Sequence, residues 1–230
     1  MLKKAILAVV IILVVAVAVI WFTGNQPKTI KVADLPWQIE IQPDGASRVF
    51  GATLGSTTLD QLSRHINKVP EFAVFITDKG PEAVEAYFGK TRIGVFDAKF
   101  VVMLDATPDM LKRLTDNAGE PEPMPSGSWK RVIGEQDIPD VINLPVREMT
   151  YVPSVAYEPE LVNQRFGTPA EILAFDEDSD YWLYPDQGLA ILMNREGKEI
   201  LQYVHPKTFP SLKQRIDQEI IKRQESAEQQ

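Results

Sequence analysis

Residues 5–22, AILAVVIILVVAVAVIWF, run for 18 positions without a charged or polar side chain. No other feature constrains the chain as much, because such a run must leave water as a unit. As a helix rising roughly 1.5 Å per residue it reaches about 27 Å, close to the ~30 Å of a bilayer's hydrocarbon core. Trp21 and Phe22 close the run, where aromatic rings favour the interface. The expectation is a retained signal anchor, with the lipid bilayer as partner through residues 5–22. A cleaved signal peptide is the rival, since Ala16, Val17 and Ala18 resemble a cleavage site, but the apolar run continues past them. Lys3 and Lys4 before the span nearly balance Lys28 and Lys31 after it. With only four residues ahead of the span, the expected topology is N-terminus inside. That places the chain single-pass in an inner (cytoplasmic) membrane, with its large domain periplasmic.

The rest of the chain carries all 32 acids and 22 of the 24 bases, a net charge of −10. A field of that sign repels phosphate backbones, so no nucleic acid partner is expected. The 44% hydrophobic content is a globular proportion. There is no cysteine, which rules out disulfides, thiolate metal sites and a lipid-modified cysteine.

Residues 25–36 are polar and aperiodic and suit a tether, and WQIEIQPDG (37–45) alternates as a first strand does. Thr58 and Gln61 are spaced as a capping box, with Leu59, Leu62 and Ile66 on one helical face and Pro70 beyond. Thr107, Pro108 and Gly119 punctuate a second helix; Pro159 and Gly167 punctuate a third. EFAVFIT (71–77), IGVFDAKFVVMLD (93–105), SWKRVIG (128–134) and PVREMTYVP (145–153) read as strands. So do AEILAF (170–175), YWLYP (181–185), GLAILMN (188–194) and KEILQYV (198–204). EAVEAYFGK (82–90) fits helix and strand equally. A last helix carries Phe209, Leu212, Ile216 and Ile220 in a stripe.

The order helix, X-Pro, strands occurs twice, from near residue 57 and near residue 158. One amphipathic helix cannot bury its stripe alone, but laid across an antiparallel meander it can. The predicted fold is α+β: an N-terminal transmembrane helix followed by two helix-plus-antiparallel-meander units, with the sharing of one sheet left open. The expected domains are a cytoplasmic stub and anchor (1–24), a tether (25–36), a first α+β unit (37–152), a second unit with the C-terminal helix (153–224) and a disordered tail (225–230).

RFGTPAEI (165–172), Trp182 and Tyr184, and GLAILMNREGKEILQYV (188–204) resemble the small SmpA/OmlA (BamE-like) envelope family. That family shares its helix-plus-meander architecture with β-lactamase-inhibitor-protein-like folds. LGSTTLDQL (54–62) looks like its Gly-x-Ser/Thr helix entry. The resemblance implies a non-catalytic scaffold that binds proteins or envelope components. BamE-type members are outer-membrane lipoproteins held through a cysteine, which this chain lacks, so a role in outer-membrane protein assembly does not transfer.

AFDEDSDYWLYPDQGLAIL (174–192) holds the residues most able to carry chemistry. Asp176, Asp178 and Asp180 have the 1-3-5 spacing that opens an EF-hand loop. The sixth position is Tyr181 where glycine is needed, and the twelfth is Gln187 where a bidentate glutamate is needed. A solvated hairpin tip is therefore expected, without a metal. On the strand behind it, Trp182 and Tyr184 share one face, and Tyr181 and Leu183 the other. One face is expected to be core and the other an aromatic interaction surface. The final helix has five bases against two acids between residues 207 and 223, and its stripe could dock on the domain or serve a partner. The expected interaction surface is Tyr181, Trp182, Tyr184, Phe209 and Ile216. FGATLGST lacks the lysine and the glycine spacing of a phosphate loop, and His65 and His205 stand alone. No H-E-x-x-H or G-x-S-x-G occurs. No catalytic residue, cofactor or metal is expected. The function expected is a membrane-anchored, non-catalytic binding or adaptor module of the bacterial cell envelope, with a protein partner. One alternative is an envelope hydrolase or wall-modifying enzyme, which needs the acids at 176–180 and His65 in one cleft. The other is a structural subunit of an inner-membrane complex.

Overall fold

The computed structural model describes residues 32–77, 80–125 and 127–228. The apolar run 5–22 lies outside the described residues. Among those described, no helix is long and apolar enough to cross a membrane. No described helix supports the expected transmembrane helix, signal anchor and single-pass inner-membrane placement, which rest on residues 5–22, outside the described residues, and they are carried no further.

Ala33–Gln230 forms one compact unit. β1 (Glu40–Ile41), β2 (Ser47–Val49) and β3 (Ala52–Thr53) make a small antiparallel sheet. α1 (Leu59–Ile66) follows, then β4 (Glu71–Thr77), β5 (Gly80–Ile93), β6 (Phe96–Leu104) and α2 (Pro108–Asn117). Next come β7 (Glu122–Pro123), β8 (Trp129–Val132), the single turn α3 (Ile138–Val141) and β9 (Val146–Pro153). α4 (Pro159–Phe166), β10 (Glu171–Ala174), β11 (Ser179–Tyr184), β12 (Leu189–Asn194), β13 (Ile200–Val204) and α5 (Phe209–Glu228) complete the chain. α5 thus runs into the segment 225–230 that composition reads as a tail.

The chain does not fold as two helix-plus-meander units. β4 to β13 lie in one ten-stranded antiparallel sheet, ordered β10-β11-β12-β13-β9-β6-β5-β4-β8-β7. β9 is the reason: Met149 pairs with Val102 of β6 on one side and with Tyr203 of β13 on the other. The core does not divide either. Phe50 stacks on Tyr151 with ring centroids 5.1 Å apart and meets Phe100 and Tyr203 edge-on.

Phe50 reaches that position from a turn. With Gly51 it joins β2 to β3, and both residues have positive φ, 51° and 74°. Two such residues give a hairpin turn whose twist matches its strands. The conformation costs a non-glycine residue ~1–3 kcal/mol. Burying a whole phenyl ring among three aromatic neighbours offsets it.

Local signals resolve as physics predicts. The Thr58 hydroxyl accepts from the Gln61 N–H at 3.3 Å, and the Gln61 side chain accepts from the Thr58 N–H at 3.0 Å. Thr107 caps α2, and Gly167 ends α4 at φ 88°. Residues 82–90 are strand, because β5 has a partner on each side and sends Val84, Ala86 and Phe88 into the core. Packing decides what propensity leaves open. Residues 93–105 contain a hairpin turn at Gly94, φ 58°, where a Cβ would come within 2.5 Å of the Ala33 carbonyl oxygen.

The sheet's two faces are covered unequally. The first lies against the small sheet, α1, α2 and α4, whose Leu59, Leu114 and Val162 join Val84, Phe100 and Met149 in the main core. The second carries α5 at one end: Phe209, Leu212 and Ile216 lie on Tyr181, Leu183, Ala190 and Val204.

Candidate binding face

Four of the five residues expected at the interaction surface are packed inward, which corrects the expectation for them, and the fifth, Trp182, is half-buried. Tyr181, Phe209 and Ile216 form the seam between β11 and α5, each at most 4% exposed. The Tyr181 hydroxyl donates to Glu219 at 3.0 Å, and burial followed by the Glu219 charge pushes the phenol up. Tyr184 points into the main core and donates to the Gly167 carbonyl at 3.2 Å. Trp182 is half-buried against the same core. β11 is an internal strand with α5 over one face and the main core under the other, so the exposure of its aromatics is confined to Trp182 beside Ile172 of β10.

The acidic tip behind which these aromatics lie is partly neutralised from within, at Asp176 and Asp180. Asp176 accepts the Asp178 N–H at 3.1 Å and pairs with Arg223 of α5 at 3.5 Å. The Ser179 hydroxyl holds the Asp176 carboxyl below its usual range. Asp180 pairs with Arg195, which also donates to the Glu177 carbonyl. The cleft of about 600 Å³ between this tip and the end of α5 is wide, and its lining sets the paired Asp176 and Arg223 beside Glu177 and Asp178. Among the described residues no group of His, Asp and Glu side chains could hold a metal ion. His65 bonds instead to Asp34, Nε2 to Oδ2 at 2.9 Å, over Gly51, where a Cβ would strike the imidazole ring. The structure does not bring His65 together with the acids of the tip.

A second polar cluster is sealed inside. Glu199, 1% exposed, accepts the Tyr157 N–H at 2.8 Å, and burial pushes its carboxyl up. Tyr203 donates to the Pro36 carbonyl at 2.9 Å and ties residues 33–36 to the core. Trp37 follows, ringed by Phe96, Tyr157 and Phe166, with the Arg165 guanidinium 5.0 Å from its ring. These groups fasten the chain and offer no opening.

The remaining candidate is the far end of the second face. Cross-strand partners lie on the same side of a sheet. One row therefore runs Val132, Ala73, Glu85, Met103, Glu148, Val204, and the next Glu71, Tyr87, Val101, Thr150, Gln202, Ala190. Val204 and Ala190 lie beneath α5. At the other ends of the rows, β4, β5, β6 and β8 frame a groove of about 280 Å³. Phe75, Ala73, Tyr87, Val101 and Met124 give it apolar walls, with Glu71, Glu85 and Lys130 among them. No helix among the described residues lines it.

The two acids of the first row stand in different company. Glu148 receives both terminal nitrogens of Arg215 from α5 and lies 3.4 Å from Arg147. Glu85 is half-buried, and among the described residues its carboxyl has no hydrogen-bond donor or cation. Burial, then repulsion from Glu148, pushes its carboxyl up. Tyr87, 44% exposed, lies over the β-bulge at Gly89.

Sequence reasoning passed over this groove. The signal was present in β4 and β5: Phe72, Val74 and Ile76 alternate with Ala73 and Phe75, and Val84, Ala86 and Phe88 with Tyr87. A strand that is apolar on both faces needs two covers, and here the described residues supply one. Comparison with family models, with curated proteins and with solved structures gave no match, so the face itself carries the functional argument.

Proposed function

We propose that this chain is a non-catalytic protein-binding module and that the uncovered end of the second sheet face is its binding surface. The observation that carries the reading is that one set of strand rows is packed under α5 at one end and bare at the other. An apolar sheet surface with an exposed aromatic loses free energy when a partner covers it, and a half-buried carboxyl favours a partner that brings it a donor or cation. The resemblance of residues 165–204 to the SmpA/OmlA family supports a binding role as well. A photoreactive phenylalanine analogue placed at Tyr87 in the full chain, in the cell that makes it, tests this. It is expected to capture a protein that the same analogue at Val155, 75% exposed elsewhere, does not. Equal capture at both positions, or none at either, contradicts the reading.

A further inference from the structure

The width of the bare surface, its charge and the way the chain covers the rest of the same face bear on what sits there. β4, β5 and β6 span two strand spacings, ~10 Å, which is about the width of one helix with its side chains. A groove of about 280 Å³ falls below the ~300–1,000 Å³ common for small-molecule pockets, but it can take inserted side chains.

α5 supplies a template. It lays apolar Leu212 and Ile216 on the sheet and sends the cation Arg215 to Glu148. Glu85 stands in the same row as Glu148, two strands further on, and has no such cation among the described residues. Lys130 lines the groove but makes no ion pair among the described residues. The half-buried carboxylate is thus an unmet charge beside an apolar floor, and a basic group on an otherwise apolar occupant complements both. A strand-like occupant is disfavoured, because β4, β5 and β6 already have their hydrogen-bonding edges filled by neighbours. A second copy's α5 is disfavoured because its apolar stripe is already buried on its own sheet.

We propose that the bare end of the face seats an amphipathic helix of a partner protein, with its apolar stripe on Phe75, Tyr87 and Val101 and a lysine or arginine on Glu85. This rests on the reading of that surface as the binding site. The test extends the crosslinking at Tyr87 by mapping the captured residues on the partner and repeating the capture with Glu85→Gln. The expected segment has apolar residues at i, i+3 and i+4 and a lysine or arginine among them. Yield is expected to fall about tenfold with Glu85→Gln, and to stay unchanged with Glu160→Gln on α4, the helix on the opposite face. Site-dependent capture of an extended or acidic segment, of lipid, or of a second copy of this chain overturns the helix proposal and leaves a binding surface. So does a yield indifferent to Glu85→Gln when the melting temperature shows the variant folded. Absence of any product specific to position 87 overturns the binding surface itself.

Discussion

The second face of the sheet is one surface finished in two ways. Under α5, Leu183, Ala190 and Val204 are at most 2% exposed, and the helix brings Arg215 to Glu148. Across β6 and β5 the same rows continue with Val101 and Tyr87, and Phe75 of β4 lies on the same face, yet Tyr87 is 44% exposed and Glu85 has no cation among the described residues. The strands are alike in pairing and alternation; only the cover differs. Apolar alternation therefore reports that a surface needs covering, without saying whether the same chain does it.

The sharpest way to break the comparison is in the covered half. Leu212, 2% exposed, sits in the middle of the α5 stripe. Leu212→Ala is expected to cost ~2–5 kcal/mol in urea unfolding, the usual range for a truncated core leucine. A cost under about 0.5 kcal/mol would mean that α5 is only loosely held and that the two halves are not different in kind.

That contrast also separates what the sequence made legible from what it did not. Caps, turns and most strands were readable because their causes are local: Thr58 with Gln61, Pro159 with Gly167, the alternation around Trp182. The joining of the two meanders was not, because Met149 finds Val102 and Tyr203 far away in the chain and nothing in PVREMTYVP specifies those partners. The same limit put Tyr181, Trp182 and Tyr184 on a surface: period-two alternation sorted them correctly onto two faces, but a second cover over that strand is a tertiary fact. Glu85 and Tyr87 were passed over for the reverse reason, since EAVEAYFGK fitted two periodicities and its solvent face could not be identified until the strand was fixed.

A smaller effect sharpens the charge difference between the halves. Burial and Glu148 raise the Glu85 carboxyl above its ordinary value of 4.5. The folded state then keeps a proton that the unfolded state has already lost, so stability falls as pH rises above the unfolded value and has fallen fully once pH passes the folded one. Glu85→Gln removes that loss. It is expected to raise stability at about pH 7, by under about 1 kcal/mol, and to lose the gain by about pH 3, where both states are protonated. A gain that persists at the lower pH would assign the effect to packing instead of charge.

The smallest expected effect is the most direct test of the central claim, that the bare half serves a partner and not this chain's own fold. Tyr87→Ser should leave urea unfolding unchanged within about 0.5 kcal/mol, as for an exposed side chain outside the core, while capture by a photoreactive analogue placed at Phe75, in the wall of the same groove, is lost. If Tyr87→Ser instead costs as much stability as Leu212→Ala, or if capture at Phe75 survives it, the two halves are the same kind of surface and the account is contradicted.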